Sequence, residues 1–303
     1  MERDVDWKLD GTKRTMCANT KREGVLLRVG LLNKIILIRK EEIMTDIELR
    51  FKPLKGWRAE VGMLAPWGKM YREWEVVAPE GVRFSSALLG LIHTTPEGLK
   101  EMANQVEEEA RKLNIACKCD LICLGCTSGS FIGGPGYDQK LIERIERASG
   151  SPATTTTTCV LELLTDMGIR KMVLVGPYTD LVLETEVAFF NAQGFETIYI
   201  KGSGLGYVEQ TDYFTFMMDP YGSYKLVKNG AKAVPDADCV FLTCMASPLL
   251  GIADVLEDEI GKPVISSLSA TLYGVLKKLG IGDPVYHYGE ALRRPRLPHQ
   301  IGK

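Results

Sequence analysis

Two cysteines of this sequence stand in matching places. Asp120-Leu-Ile-Cys-Leu-Gly-Cys126 aligns with Asp238-Cys-Val-Phe-Leu-Thr-Cys244. In both, an apolar run follows an aspartate and a cysteine lies six residues after it. An ionised thiol is a strong nucleophile and a ready proton carrier. Two thiols facing one cleft could add to a double bond and leave again. They could equally flank a carbon and exchange its proton. A strand before and a helix after each cysteine would put the sulfur at a helix N-terminus. Free N–H groups there lower a thiol's pKa and can hold a substrate carboxylate. Thr127, Ser128, Gly129 and Ser130 add hydroxyls and close backbone approach in the first loop, and Met245, Ala246 and Ser247 hold the matching positions in the second.

A lone cysteine at a strand end is usually a small buried hydrophobe. That reading holds for Cys117, Cys119, Cys123, Cys159 and Cys239. Cys126 and Cys244 differ because both copies keep the thiol at one offset while their neighbours change. Other catalytic sets are thin. The three histidines, His93, His287 and His299, fall in no nucleophile or metal arrangement. Cys117, Cys119, Cys123 and Cys126 lack the second separated pair that structural zinc sites favour. Gly202-Ser-Gly204-Leu-Gly206 lacks dinucleotide-loop spacing and reads as a mobile loop. The run Thr154 to Thr158 reads as a structural strand or loop whose hydroxyls could reach a ligand.

The elements that must carry these residues alternate. Strands are expected at Val61–Pro66, Leu121–Gly125, Met172–Val175, Phe195–Ile200 and Cys239–Thr243. Thr95-Pro96-Glu97 has the form of a helix start, and Leu99, Met102, Ala103, Val106, Ala110 and Leu113 follow at helical spacing. Asp138 is placed to cap a helix carrying Leu141, Ile142 and Ile145. Asp180 opens another, carrying Leu183, Val187 and Phe190. The second half restarts the pattern. Gly150-Ser-Pro152 aligns with Gly261-Lys-Pro263, each followed by small hydroxyl residues, a helix and Gly-Ile at 168–169 and 280–281. An ordered set of matches of this kind marks a duplication. Alternating strands and helices predict two α/β lobes with parallel sheets. Ligands of open α/β folds bind at the carboxyl ends of the strands. Equivalent loops related by a pseudo-two-fold axis would then bring Cys126 and Cys244 to one cleft. The expected limits are an N-terminal extension over 1–55, a first lobe over 56–170 completed by 262–303, and a second lobe over 171–261.

Composition is that of a globular chain: 303 residues, 45% hydrophobic and 25% charged. The net charge of -2 gives no electrostatic ground for nucleic acid or acidic membranes as partners. Val25–Ile38 is apolar but interrupted by Arg28, Asn33 and Lys34, too short and too charged to span a bilayer. No secretory signal stands out, so the eight cysteines are expected to be reduced, in a cytoplasm. The first ~43 residues match no later pattern. They read as a mobile extension, or as sequence upstream of a start at Met44.

Gly125-Cys-Thr-Ser-Gly-Ser130, Val175-Gly-Pro-Tyr178, Thr243-Cys-Met-Ala246 and Gly261-Lys-Pro-Val264 resemble the maleate cis–trans isomerase and arylmalonate decarboxylase branch of the aspartate/glutamate racemase superfamily. The resemblance runs from about Gly62 to Ile281. It implies two flavodoxin-like (Rossmann-like) lobes, no cofactor, a small carboxylate substrate and a homodimer. It makes Cys126 the thiol that attacks a double bond and Cys244 the proton donor or acceptor. Tyr178, Thr127 and Ser128 would bind the substrate carboxylate, with Met245 and Ala246 beside them. Pro66-Trp-Gly-Lys69 departs from the branch, because Lys69 and Trp67 stand where an asparagine and a serine are typical. A lysine can pair with a carboxylate but lacks the amide's joint donor and acceptor. Decarboxylases of the branch typically lack the first thiol, so Cys126 favours isomerisation or racemisation. Decarboxylation through Cys244 and a catalytically silent binder of small acids are the competing readings.

Overall fold

A computed structural model describes residues 56–68, 72–91, 93–202 and 219–295, all within one compact unit, Lys55–Lys303. The expected extension, Val25–Ile38, Lys69 and most of the glycine-rich loop after Gly202 lie outside the described residues.

The fold is α/β and duplicated. The first sheet holds β1 (Ala59–Ala65), β2 (Val82–Leu88), β3 (Leu121–Leu124) and β4 (Ala153–Thr155), all parallel, in the order β2-β1-β3-β4. The second holds β5 (Lys171–Gly176), β6 (Glu196–Gly202), β7 (Cys239–Leu242) and β8 (Val264–Ser266), all parallel, in the order β6-β5-β7-β8. Helices of the first half are α1 (Arg72–Val77), α2 (Pro96–Ala103), α3 (Val106–Cys117), α4 (Thr127–Phe131), α5 (Tyr137–Ser149) and α6 (Thr156–Asp166). Those of the second are α7 (Asp180–Ala192), α8 (Pro220–Ala233), α9 (Ala253–Ile260), α10 (Ser267–Lys278) and α11 (Glu290–Arg293). None of the described helices is long and apolar enough to cross a membrane.

The repeat extends to single hydrogen bonds. Asp120 accepts the N–H of Glu60 at 2.8 Å, and Asp238 accepts those of Arg170 and Lys171 at 2.8 Å each. Glu146 accepts the N–H of Ala153 at 3.0 Å, and Glu257 that of Val264 at 3.0 Å. Each glutamate thus pairs the N–H of the first residue of β4 or β8. A buried N–H left unpaired costs about 1–3 kcal/mol. Gly150 and Gly261 end α5 and α9 in the left-handed conformation, at φ 76° and 69°.

Some elements differ from expectation. The helix expected from Pro96 to Leu113 is two helices. Asn104 and Gln105 turn between them with N–H bonds to Glu101 and Met102, three residues back. The buried stripe still continues across the break. Asp138 does not cap α5; Gly136 does, and Asp138 is buried, accepting from the Thr158 hydroxyl at 2.7 Å. The threonine run splits: Thr154 and Thr155 end β4, and Thr156 to Thr158 open α6 under the Thr155 side-chain cap. The segment after 261 serves both halves. β8 completes the second sheet, while α10 lies along α6 of the first.

Candidate active site

Cys126 and Cys244 each stand two residues beyond a central strand, β3 and β7. The strands themselves are fully buried, so both sulfurs emerge from the core; Cys126 is 4% exposed and Cys244 2%. The two backbones then differ. Cys126 is extended, at φ -140°, and its side chain caps α4 by accepting the Gly129 N–H at 3.3 Å. The Ser128 hydroxyl lies 3.8 Å from the same sulfur. Glycine at 129 leaves the thiol its room, since a Cβ there would sit 2.6 Å from the Met102 methyl and 2.9 Å from the Cys126 sulfur.

No helix follows Cys244 directly. A turn leads to a short 3-10 segment, Leu250–Ile252, before α9. The expected helix N-terminus is therefore absent at the second thiol. In its place Cys244 adopts φ 87°, a left-handed conformation in which a side chain is strained by roughly 1–2 kcal/mol. That turn aims the Ala246 N–H at the sulfur, at 3.4 Å.

Cys126 is not the ready thiolate that a helix N-terminus alone would give. Burial pushes Cys126 up to about 12 and outweighs the Gly129 N–H and the Ser128 hydroxyl. A five-residue helix has little dipole to offer against that cost. The resting Cys126 is a neutral thiol.

Tyr178 links the two. It follows β5, is 4% exposed, and its phenol is held well above its ordinary range by burial. Cys244, Glu186 and Cys126 all add to that shift, while the facing Ser128 hydroxyl favours the ionised form. One buried phenol thus stands within electrostatic reach of both thiols.

The first turn of α10 ties the two loops together. The Thr127 hydroxyl donates to Ser267 Oγ at 2.9 Å. Thr271, one turn on, donates to the Ser267 carbonyl at 2.6 Å and to Met245 Sδ at 3.5 Å. Ser266 and Ser269 form a capping box beneath them. The start of α6 supports the Cys126 loop: Thr157 donates to the Thr127 carbonyl at 3.2 Å and Thr156 to that of Leu124 at 3.3 Å. Ser130 and Thr157 hydroxyls pair at 2.5 Å. Thr127 and the threonine run therefore spend their hydroxyls on scaffolding, whereas Ser128 faces the sulfur and the phenol.

Pro66 is buried at the end of β1, and its carbonyl accepts the Leu91 N–H at 3.3 Å. Trp67 is pinned beside it, its indole N–H donating to the Leu91 carbonyl at 3.0 Å. Met245 and Ala246 are buried behind Cys244.

Four buried side-chain polar atoms have no hydrogen-bond partner among the described residues, and three surround the Cys244 loop. Ser247 Oγ lies in the loop itself. Glu186 Oε2 belongs to a carboxyl that accepts from Thr243. Glu73 Oε2 belongs to a carboxyl that faces the N–H groups of Leu249, Leu250 and Gly251. Buried polar atoms are almost always paired, so these groups keep unused hydrogen-bonding capacity beside the second thiol. Sequence reasoning does not single out Glu186. Its one signal is an acid three residues after Leu183 and three before Phe189, inside the apolar stripe of α7. Among the described residues no three or more His, Cys, Asp or Glu gather as a metal ion would need.

Residues 61–292 match the family model described as arylmalonate decarboxylase. A maleate isomerase of Geobacillus stearothermophilus is 25% identical over 248 residues, which cover 77% of this chain and 96% of that protein. An arylmalonate decarboxylase of Bordetella bronchiseptica is 29% identical over 199 residues, 66% of this chain and 81% of that one. Among solved structures, a liganded mutant of arylmalonate decarboxylase superposes with a TM-score of 0.71 at 27% identity, covering 77% of this chain and 98% of that one.

The backbone difference between the thiols is open to test. Glycine relieves left-handed strain at 244 but only adds chain entropy at the extended 126. Cys244→Gly is expected to be more stable than Cys126→Gly by about 1–2 kcal/mol in urea unfolding. Coincident midpoints would mean that the turn at Cys244 carries no strain.

Proposed function

The chain belongs to the arylmalonate decarboxylase family, and on that premise we propose that it is an isomerase of a small carboxylic or dicarboxylic acid, working through Cys126 and Cys244. One observation carries the reading: the first turn of α10 holds both thiol loops, Ser267 Oγ taking the Thr127 hydroxyl at 2.9 Å and the Thr271 hydroxyl reaching Met245 Sδ at 3.5 Å. Protonating a carbanion needs one thiol, whereas addition and elimination at a double bond, or removal and return of a Cα proton in a racemase, need two.

Cys126 is the nucleophile. The Gly129 N–H and Ser128 hydroxyl already point at its sulfur, so they stabilise the thiolate when it forms. A carboxylate of the bound acid takes the Cys126 proton, and the thiolate adds to one alkene carbon while Cys244 gives its proton to the other. The resulting single bond rotates. Return of the proton to Cys244, breakage of the carbon–sulfur bond and return of the carboxylate's proton to Cys126 leave the trans alkene. The thiols begin and end reduced, so the cycle balances with side chains and substrate alone. Tyr178, Ser128 and the unpaired Ser247 hydroxyl supply hydrogen bonds for the substrate carboxylates. Trp67 fills the loop after β1, and with Lys69 it points to an acid other than maleate itself.

Decarboxylation is the second reading, favoured by the family match and by the Bordetella relative. In it a carboxylate leaves as carbon dioxide and Cys244 protonates the enediolate left behind. The proposal also includes a homodimer, which the resemblance supports and which a single-chain mass in light scattering would contradict. The reading takes the thiols as reduced, as in a cytoplasm.

Proton NMR in heavy water, with maleate, its substituted homologues, arylmalonates and amino acids as the panel, tests the proposal. Cis–trans conversion is expected, falling at least ~1,000-fold in Cys126→Ala and in Cys244→Ala alike. Carbon dioxide release that survives Cys126→Ala and is lost in Cys244→Ala would turn the reading to decarboxylation. Binding without turnover across the panel would make the protein a silent binder.

A further inference from the structure

An acid sits behind the second thiol. Glu186 is fully buried in α7, in a stripe with Val182, Leu183, Phe189 and Phe190. Phe189 and Phe190 of that stripe belong to a chain of rings, Phe131, Phe189, Phe190 and Phe241, with successive centroids 6.3, 5.6 and 5.7 Å apart. Glu186 Oε1 accepts the Thr243 hydroxyl at 2.7 Å, and Oε2 has no partner among the described residues. Thr243 directly precedes Cys244 and donates its backbone N–H to Val175 at 2.9 Å. The carboxyl therefore grips the chain at the entrance to the left-handed turn. Tyr178, from the loop after β5, feels Glu186 together with Cys244 and Cys126.

We propose that Glu186 is a positioning residue for Cys244: as a neutral acid it fixes Thr243 and the turn beyond it, and as a carboxylate it opposes negative charge on the thiol and the phenol. This rests on the reading of Cys244 as the proton-transfer thiol. Burial raises the Glu186 carboxyl to about 8, against the Thr243 hydrogen bond, which lowers it. Below that pH the acid is neutral and adds no charge beside Cys244. Above it a carboxylate stands there, and forming a thiolate or phenolate costs more. Glu186 thus sets an alkaline limit on thiolate chemistry at Cys244.

The probe is iodoacetamide on the full chain, with the rate of Cys244 alkylation read by peptide mass mapping between pH 6 and 10. In Glu186→Gln the amide keeps an acceptor for Thr243 and never ionises. Its Cys244 rate is expected to equal wild type at pH 6 and to exceed it about tenfold above pH 9, a shift of about one pH unit. Glu186→Leu removes both charge and acceptor. It is expected to show the same alkaline gain but to depart from wild type about threefold at pH 6, through the released Thr243 hydroxyl. Equal rates in wild type and Glu186→Gln across the range would overturn the proposal. Near-isosteric Gln keeps the test valid if the Leu variant does not fold. Alkylation reads the thiol and not turnover, so it stands apart from the success or failure of the isomerase reading.

Discussion

Burial is the constraint on which this site depends. Cys126, Tyr178 and Glu186 all lie where ionisation is penalised, and all three are pushed toward their neutral forms. A site built this way holds little charge at rest. Any thiolate must be stabilised by groups that already point at it, and such preorganised groups need not reorganise during reaction. The Gly129 N–H and Ser128 hydroxyl do this for Cys126, and the Ala246 N–H for Cys244. Tight packing at 129 and the strained turn at 244 are the structural cost of aiming those donors.

Duplication explains why there are two thiols but not why they differ. Both sheets share one strand order, and both lobes keep the same aspartate, glutamate and glycine at the same junctions. That framework delivers a cysteine to the same place twice. The segments after the two cysteines have diverged. The first copy runs into a helix with hydroxyl residues, and the second into a turn held by Glu186 through Thr243. Nucleophile and proton carrier are different tasks, and the divergence gives each sulfur its own surroundings. The first turn of α10 then holds the two loops in register, reaching Thr127 through Ser267 and Met245 through Thr271.

Much of this is legible in the sequence, because repetition is a strong signal. The offset from Asp120 to Cys126 and from Asp238 to Cys244 fixes where the thiols sit, and the Gly-x-Pro pairs fix the starts of β4 and β8. Edge strand β2 is not legible, since Val82–Leu88 has Ser85 and Ser86 at its centre and is only partly buried. Helical spacing puts Val187 in the stripe of α7, while the buried positions include Glu186. Apolar periodicity cannot find an acid that is buried for its chemistry. Nor can it show that Cys244 lacks a helix, because a left-handed cysteine leaves no mark in composition. The raised pKa of Cys126 is hidden for a related reason. Helix position is visible in sequence, whereas desolvation depends on what the rest of the fold packs around the sulfur.

The central claim is that Cys126 and Cys244 serve one site. A short bifunctional thiol reagent with a three-carbon bridge, such as 1,3-dibromoacetone, tests this most directly, with the products read by peptide mass spectrometry. A single adduct joining the peptides of Cys126 and Cys244 is expected, and it should disappear when the site is occupied by a bound carboxylate. Separate single adducts on the two cysteines, with no bridged product, would contradict the account.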